Sequence, residues 1–455
     1  MSGILMSTLG NWKASSAASV PDLVYNLDAA TYTGISANFN GTSQYLDIAS
    51  TPAFGFGTAD FTIECWWRPT VNQRSDVLDF WSTPGTNPTT RFDFGRVTST
   101  TLDLYTDSTP GGSGAKITGP SIASLLNAWH HIAITRQSGS IKMWVDGTQA
   151  GSTYSANVLD MGTGGMDLRI MGDHGASGNG SGNLSNIRVV KDVAVYTGTF
   201  TVPTSPLTLT QNAGTNISAI TAGQTQLLLP LTTVPFTDSS TNALSVTNAG
   251  TTVPTLLTPF TSYDTTGTYA LTIANAGASI SYGTTNGGIF SKSNNVGTDF
   301  IYGGPNYVTG QSYSVFMAYQ RTATATGRLL NTQSEASKDW LMGLYNGNPD
   351  TFYPNYAVNL PGSGADLIWH FGWATWNTTT SLGQLYTATS SQPTSVAFSS
   401  TNAGGGGFNQ LRMFSRASGS EVQSGNIGFI KVYNGVLDLA TVQSLYATYA
   451  ARFGY

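Results

Sequence analysis

The residues that could do chemistry are few. Of 455 residues, 24 are acidic, and only Glu64, Glu335 and Glu421 are glutamates. There are four histidines, His130, His131, His174 and His370, and one cysteine, Cys65. Cleaving a glycosidic bond with retention needs two carboxylates about 5–5.5 Å apart. The three glutamates lie in three separate segments. On its own strand Glu64 has Thr62 and Trp66 as same-face neighbours, so no second acid stands beside it. Aspartate pairs assembled by the fold stay open. No nucleophile elbow, phosphate-binding loop or HExxH pattern occurs. Gly404 to Gly407 lacks the lysine and strand-to-helix setting of a phosphate loop and reads as a flexible turn. The expectation is a protein that is not an enzyme.

Binding chemistry has better candidates. Phe61, Ile63, Cys65 and Trp67 fall on one face of a strand, with Glu64, Trp66 and Arg68 on the other. Lys142 and Trp144 share a face of a second strand. Aromatic faces suit sugar C–H surfaces, and planar polar groups suit hydroxyls. Glu64, Trp66, Arg68, Lys142 and Trp144 are therefore the candidate glycan platform. The competing reading is that loops or another subunit cover this face, since Trp-rich strands are usually core. Asp160, Asp167 and Asp173 sit in a loop-rich stretch with His174. Oxygen donors of this kind suit calcium, but aspartates in turns also hydrogen-bond their own backbone. His130 and His370 each follow a Trp and are expected to satisfy buried hydrogen bonds.

The elements that position these residues are strands. Charged residues are 9%, against about 25% in average soluble domains. The net charge is −5 and no basic run exists, which argues against nucleic acid. No stretch of about 18 apolar residues appears, which argues against membrane insertion. The first residues, Met1 to Leu9, lack the features of a secretory signal, so export by another route is expected. Thr, Val, Tyr, Trp and Gly abound, and Asp146-Gly147 marks a hairpin turn. The order of segments repeats. Phe61 to Trp67 aligns with Tyr313 to Tyr319, 252 residues on. Trp129 to Thr135 aligns with Trp369 to Thr375, and Ser185-Asn186-Ile187 with Gly425-Asn426-Ile427, both 240 residues on. A tandem duplication follows. The expected layout is an N-terminal arm or anchor over 1–21, one sandwich over 22–209, a linker over 210–235 that feeds the next domain, and a second sandwich over 236–455. Asp438 caps a short C-terminal helix with Leu439, Val442, Leu445, Tyr446 and Tyr449 on one face. The fold class is all-β, with two tandem jelly-roll β-sandwiches.

Several motifs resemble the concanavalin A-like lectin/glucanase superfamily, in its laminin-G-like branch. They are Phe39-Asn40-Gly41-Thr42-Ser43-Gln44-Tyr45-Leu46, Asp60 to Trp66, Trp129 to Arg136, Met143-Trp144-Val145-Asp146-Gly147 and Ile187-Arg188-Val189. The second half keeps the Trp-His strand and Gly428 to Asn434. The resemblance implies concanavalin A-like sandwiches, and calcium held by loop aspartates such as Asp160 and Asp173. The glucanase motif of the superfamily, Glu-x-Asp-x-x-Glu, is absent. Ala194 to Leu207 and Gln226 to Leu229 are similar to segments closing laminin-G-like modules in tailed-bacteriophage virion proteins. That likeness implies a surface-exposed virion structural protein, assembled in the host cytoplasm, with lectin-like domains for host glycan attachment or particle assembly. A tail or fibre adhesin is favoured over a capsid decoration (cement) protein. The expected partners are other virion proteins through the arm, a host surface glycan, and further copies of the chain, for which a trimer would suit. A bacterial carbohydrate-binding module and a glycan depolymerase are the alternatives.

Overall fold

A computed structural model describes residues 20–455, except 33, 74–75, 82–90, 97–99, 108–114, 156–164, 175–177, 233, 263, 265, 267, 275–279, 284, 294–297, 308–310, 323–326, 334–339, 346–347, 355–357, 360–366, 395–397, 402–406 and 417. The first strand is β1 (Leu23–Asp28). Next come β2 (Ser36–Asn40), β3 (Tyr45–Thr51), β4 (Phe61–Pro69), β5 (Leu78–Trp81), β6 (Arg91–Arg96), β7 (Thr101–Asp107) and β8 (Ile117–Ser121). They are followed by β9 (His130–Gln137), β10 (Ser140–Val145), β11 (Thr148–Ser155), β12 (Met166–Ile170), β13 (Ser181–Lys191), β14 (Thr225–Leu229), β15 (Thr247–Ala249) and β16 (Val253–Thr255). The rest are β17 (Thr272–Ala274), β18 (Ile280–Gly283), β19 (Ile289–Lys292), β20 (Phe300–Tyr307), β21 (Tyr313–Arg321), β22 (Leu330–Thr332), β23 (Trp340–Tyr345), β24 (Asn348–Pro354), β25 (Val358–Asn359), β26 (Trp369–Asn377), β27 (Leu382–Ala388), β28 (Phe398–Thr401), β29 (Phe408–Met413) and β30 (Gly425–Tyr433). The helix is α1 (Leu439–Tyr449), capped by the Asp438 carboxylate accepting from Thr441 N.

The strands build two antiparallel sandwiches, each of two sheets, as the all-β expectation requires. In sandwich one a back sheet in the order β11-β10-β9-β4-β13-β2-β16, with β14 also on β13, faces a front sheet β15-β3-β12-β5-β6-β7-β8. In sandwich two the back sheet is β18-β19-β30-β21-β26-β27-β28, with β1 also on β30, and the front sheet is β17-β20-β29-β22-β23-β24-β25. Alternation sets each core. Phe61, Ile63, Cys65 and Trp67 of β4 point between the sheets and pack with Ile132, Ile134, Phe80, Phe92 and Leu168. The β10–β11 hairpin turns at Asp146 (φ 50°) and Gly147 (φ 78°), the left-handed pair of a tight hairpin. Among the described residues no helix is long and apolar enough to cross a membrane.

The expected domain boundaries do not hold. β1 pairs with β30 of the second sandwich, Leu27 opposite Ile430. Tyr25, Leu27, Ala29, Tyr32 and Ile35 belong to that sandwich's core. β14, assigned by its sequence to a linker feeding the second domain, pairs instead with β13 of sandwich one, Leu229 opposite Ile187. β15 and β16 return to β3 and β2. Sandwich one is thus residues 36–256, inserted whole into sandwich two, which is residues 22–35 plus 257–455. Chain entry and exit are paired, with Ser36 opposite Thr255.

A repeated aspartate turn shows the equivalence. Asp238 Oδ1 accepts from Leu228 N of β14 at 3.0 Å, and Asp264 Oδ2 accepts from Asn26 N of β1 at 3.1 Å. The duplication itself stands, with one register corrected. Arg188 lies opposite Glu64 and Lys431 opposite Phe316, so β13 and β30 are related by 243 residues rather than 240.

The outer face of each back sheet is roofed differently. Val195, Tyr196, Phe200 and Ile220 cover Ala133 and Trp144 in sandwich one. In sandwich two, α1 and the residues after it lay Val442, Tyr446 and Phe453 on Phe371, Trp373 and Phe429.

Candidate functional site

The roof over sandwich one decides the fate of the expected glycan platform. Glu64 is wholly buried. Its Oε1 accepts from Arg188 Nε at 2.8 Å, and its Oε2 accepts from Tyr196 Oη at 2.6 Å and lies 3.0 Å from His131 Nε2. Burial alone would raise this carboxyl. Arg188, His131 and Tyr196 outweigh burial and hold it at about 2. Trp144 is also buried, donating its indole N–H to Thr135 Oγ1 at 2.8 Å with Phe200 against its ring. Lys142 is half-buried with its ammonium 5.7 Å over Trp144. Trp66 sits between His131 and Phe260, the latter from the segment leaving sandwich one. Arg68 is half-buried beside Asn183, 3.4 Å away. Glu64, Trp66 and Trp144 thus lie in a second buried layer with the half-buried Arg68 and Lys142 beside it, and no aromatic face is open to a sugar. The physical reason is the cover supplied by residues 193–220 and Phe260. Replacing Trp66 by Ala is accordingly expected to cost about 3 kcal/mol, read as a lowered denaturant midpoint of the full chain. An unchanged midpoint would restore Trp66 as a surface residue.

His370 is buried and stacks on Tyr319. His130 is only half-buried, with Nδ1 2.7 Å from Asp146.

A different site lies on the outer face of the front sheet. Leu78 and Phe80 of β5, Phe92 and Phe94 of β6 and Leu168 of β12 point into the core. Alternation therefore turns Asp79, Trp81, Arg91, Asp93, Asp167 and Arg169 outward. Asp76, Asp79, Asp93, Asp103, Asp167 and Asp173 are nonetheless all buried. Carboxylate oxygens of Asp76, Asp79 and Asp173 lie within 4.8 Å of one another. Three oxygen-only donors at that spacing fit a hard cation such as calcium. Asp167 belongs to the same neighbourhood through His174, whereas Asp160 lies outside the described residues.

The charges are strongly shifted. Burial and the nearby Asp79 and Asp76 carboxylates push Asp93 well above the usual carboxylate range. Burial would raise Asp79 too, but its hydrogen bond with Asp93 and the His174 ring outweigh it and lower it. Arg91 Nε, 2.6 Å from Asp93 Oδ2, offsets the rise of Asp93 only in part. His174 spans Asp79 at 3.0 Å and Asp167 at 3.1 Å. Burial opposes its charge, yet the two carboxylates raise it to about 9. Its ring also lies 5.1 Å from that of Trp81.

Beside the cluster opens a groove of about 420 Å³ lined by Gly41, Thr42, Tyr45, Arg169, Asp173, Gly178 and Asn179. Its walls are built. Asn40 Oδ1 accepts from Thr42 N and Ser43 N, fixing the turn that presents Tyr45. The Arg169 guanidinium lies 4.2 Å from the Tyr45 ring centre and donates to both Asp47 carboxylate oxygens at 2.8 and 3.0 Å. Asn179 Nδ2 donates to Thr42 O at 2.6 Å. Asp173 belongs to both groove and cluster.

Sandwich two repeats the frame and inverts its charge. Met171 N donates to Val77 O, and Phe414 N donates to Leu329 O, both from left-handed residues. This match sets Arg328 where Asp76 stands, Asn331 at Asp79 and Arg416 at Asp173. Glu421 bridges the two arginines, from Arg328 Nε at 2.5 Å to Arg416 Nη1 at 2.9 Å. A triad of carboxylates in one copy has become an Arg–Glu–Arg bridge in the other.

The structure brings together Asp173 from the expected residues with Tyr45, Asp47, Asp76, Asp79, Arg169 and Asn179, which sequence reasoning missed. Phe39 to Leu46 was singled out as a motif, but its Tyr45 was not assigned to a site.

Residues 40–199 match the Laminin_G_3 family of the concanavalin A-like lectin/glucanases superfamily. Sandwich one therefore carries the laminin-G-like fold that its motifs suggest. Solved structures give distant likenesses. Mouse laminin α1 domains LG4-5 are 12% identical, with 93% of each chain covered and a TM-score of 0.29. A heptameric SAP-like pentraxin from Limulus polyphemus is 17% identical over 34% of this chain and 75% of its own, at 0.27. Domain 4 of a GH43 extracellular arabinanase from Geobacillus stearothermophilus, in complex with arabinotriose, is 17% identical over 40% and 91%, at 0.32. Among curated proteins none matches.

Proposed function

We propose that sandwich one is a carbohydrate-binding module whose ligand lies in the Tyr45–Arg169–Asn179 groove. The observation that carries this reading is the groove itself, a preorganised aromatic, guanidinium and amide lining on a lectin-like sandwich. Its volume falls in the range of about 300–1,000 Å³ typical of small-ligand sites. Asp76, Asp79 and Asp173 would hold a calcium ion behind the groove, where it would supply positive charge among buried carboxylates. Asp173 then couples ion and ligand. The test is a glycan array read with calcium and with chelator, using the full chain and Tyr45→Ala. Glycan binding should fall at least about tenfold in the variant and weaken in chelator. Equal array signals for the variant would sink the reading. Release of reducing ends from a bound polysaccharide would favour the depolymerase alternative.

On the likeness of Ala194 to Leu207 and Gln226 to Leu229 to phage modules, we further read the chain as a surface-exposed structural protein of a tailed-phage virion. A tail or fibre adhesin is preferred to capsid decoration because a sugar-binding groove serves attachment. Several copies would raise avidity by effective concentration. Other virion proteins would be the partners of residues 1–21. Antibody labelling of particles tests this. Label at the tail supports the adhesin, label on capsomers alone replaces it with decoration, and no label on any particle removes the virion role.

A further inference from the structure

The charge-inverted copy has its own surface. In the front sheets Arg169 lies opposite Asp47, and Arg412 lies opposite Tyr302. Tyr302 therefore occupies the Asp47 position, and Phe300 occupies that of Tyr45. The guanidinium-over-ring stack persists, with the Arg412 guanidinium 3.4 Å from the Phe300 ring centre. Ile301 points into the core, so alternation places Phe300 and Tyr302 together on the outer face. Their ring centres are 5.8 Å apart at 33°, and both residues are half-buried. Arg412 is fixed from below, donating to Ser415 Oγ at 3.1 Å and Gln333 Oε1 at 3.4 Å. Lys292, whose ammonium donates to Asp299 O at 2.8 Å, lies near Arg412, and the Arg328–Glu421–Arg416 bridge of the same sandwich sets two arginines against one glutamate. The corresponding face of sandwich one carries six buried aspartates. The summed charge beneath a surface sets the potential that a ligand meets.

We propose that sandwich two carries a second saccharide site, formed by Tyr302 and Phe300 above Arg412, and that it takes an acidic, carboxylate-bearing sugar. Tyr302 offers the stacking face, Phe300 holds Arg412 in place, and the cations beneath favour the carboxylate. The proposal borrows only its ligand class from the reading of sandwich one and uses none of that groove's residues. A chain with two such sites would bind a mixed glycan with two unlike contacts.

The test uses the full chain, a galacturonic acid trimer and the trimer's methyl ester, titrated by calorimetry at low and high salt. The trimer should bind the parent protein, lose about tenfold in affinity on Tyr302→Ala, and keep its affinity in Tyr302→Phe. The methyl ester should bind more weakly, and salt should weaken the trimer alone. Tyr45→Ala should leave trimer binding intact. Failure of the parent protein to bind the trimer overturns the proposal, as does unchanged affinity in Tyr302→Ala. Loss of trimer binding in Tyr45→Ala would move the acidic ligand to sandwich one and likewise overturn it. Trimer binding that needs Tyr302, beside an array that Tyr45→Ala leaves unchanged, would keep this site and discard the other. Unfolding midpoints guard against misfolding, and Tyr302→Leu replaces Tyr302→Ala if the latter melts early.

Discussion

A chain lacking residues 1–35 is expected to lose the sandwich at the far end of its sequence while keeping the sandwich next to the cut. β1 supplies Tyr25 and Leu27 to the core of sandwich two, and Ala29, Tyr32 and Ile35 follow into the same core. Burying each large apolar side chain contributes roughly 1.5–3 kcal/mol, so this segment contributes on the order of 5–10 kcal/mol before ordering costs. That rivals the whole stability of a typical domain, about 5–15 kcal/mol. Polar ties are lost as well. Lys431 Nζ donates to Asn26 Oδ1 at 2.6 Å, and Arg452 Nη1 donates to Asp28 Oδ1 at 2.6 Å. Asp264 loses the Asn26 amide that anchors its turn. Residues 36–256 contain every strand of sandwich one. The measurement is hydrogen exchange with peptide resolution on the full chain and on the deletion. Residues beyond 257 should become unprotected in the deletion, and residues 36–256 should stay protected. Protection kept beyond 257, or lost within 36–256, would refute the nested arrangement. A chain cut only before residue 20 should match the full chain.

That nesting was not legible from strand patterns, and the reason is physical. Leu23 to Asp28 and Thr225 to Leu229 are both short apolar runs, and alternation says which side chains face inward but not which sheet receives them. Partner choice rests on distant contacts such as Asp238 with Leu228 and Asp264 with Asn26. One signal was available. Pro235-Phe236-Thr237 and Asp238 recur nearby as Pro259-Phe260-Thr261 and Asp264, and Ala243 to Gly250 resembles Ala270 to Gly277. Two copies of one segment so close together fit one closing the inserted sandwich and the other resuming the sandwich around it.

The strands themselves and the duplication could be read because their alternation is local. The site could not. Glu64, Trp66 and Trp144 do face away from the first core, as alternation implies, but alternation is silent about what covers that face. Tyr45 and Arg169 meet only because β3 and β12 are neighbours.

The cover over that face leads to a prediction about acid. Glu64→Gln should destabilise sandwich one by about 3–5 kcal/mol, because it leaves the Arg188 guanidinium buried without its carboxylate. Both side chains are wholly buried, and Arg188 also donates to Thr208 O at 3.0 Å and Gln211 Oε1 at 2.7 Å. The sign of the pH effect follows from the lowered carboxyl, about 2 in the fold against an ordinary 4.5. Its contribution is full above about 4.5 and disappears as pH falls towards 2, a loss on the order of 3 kcal/mol. Acid titration of stability should therefore slope steeply across that window in the parent chain and be flatter in Glu64→Gln. Sandwich two provides the internal comparison. There Phe316 holds the Glu64 position and stacks on Trp373 at 4.7 Å, with Phe371 where His131 stands. Sandwich two does the same covering task with no carboxylate at the Glu64 position, its Lys431, at the Arg188 position, lying over the Phe429 and Tyr449 rings, so Glu64→Leu combined with Arg188→Met should recover much of the stability lost by Glu64→Gln alone. Equal stability and equal acid slope for parent and Glu64→Gln would show that the network contributes nothing. A double variant no better than the single one would show instead that residues 193–220 need the ion pair to dock.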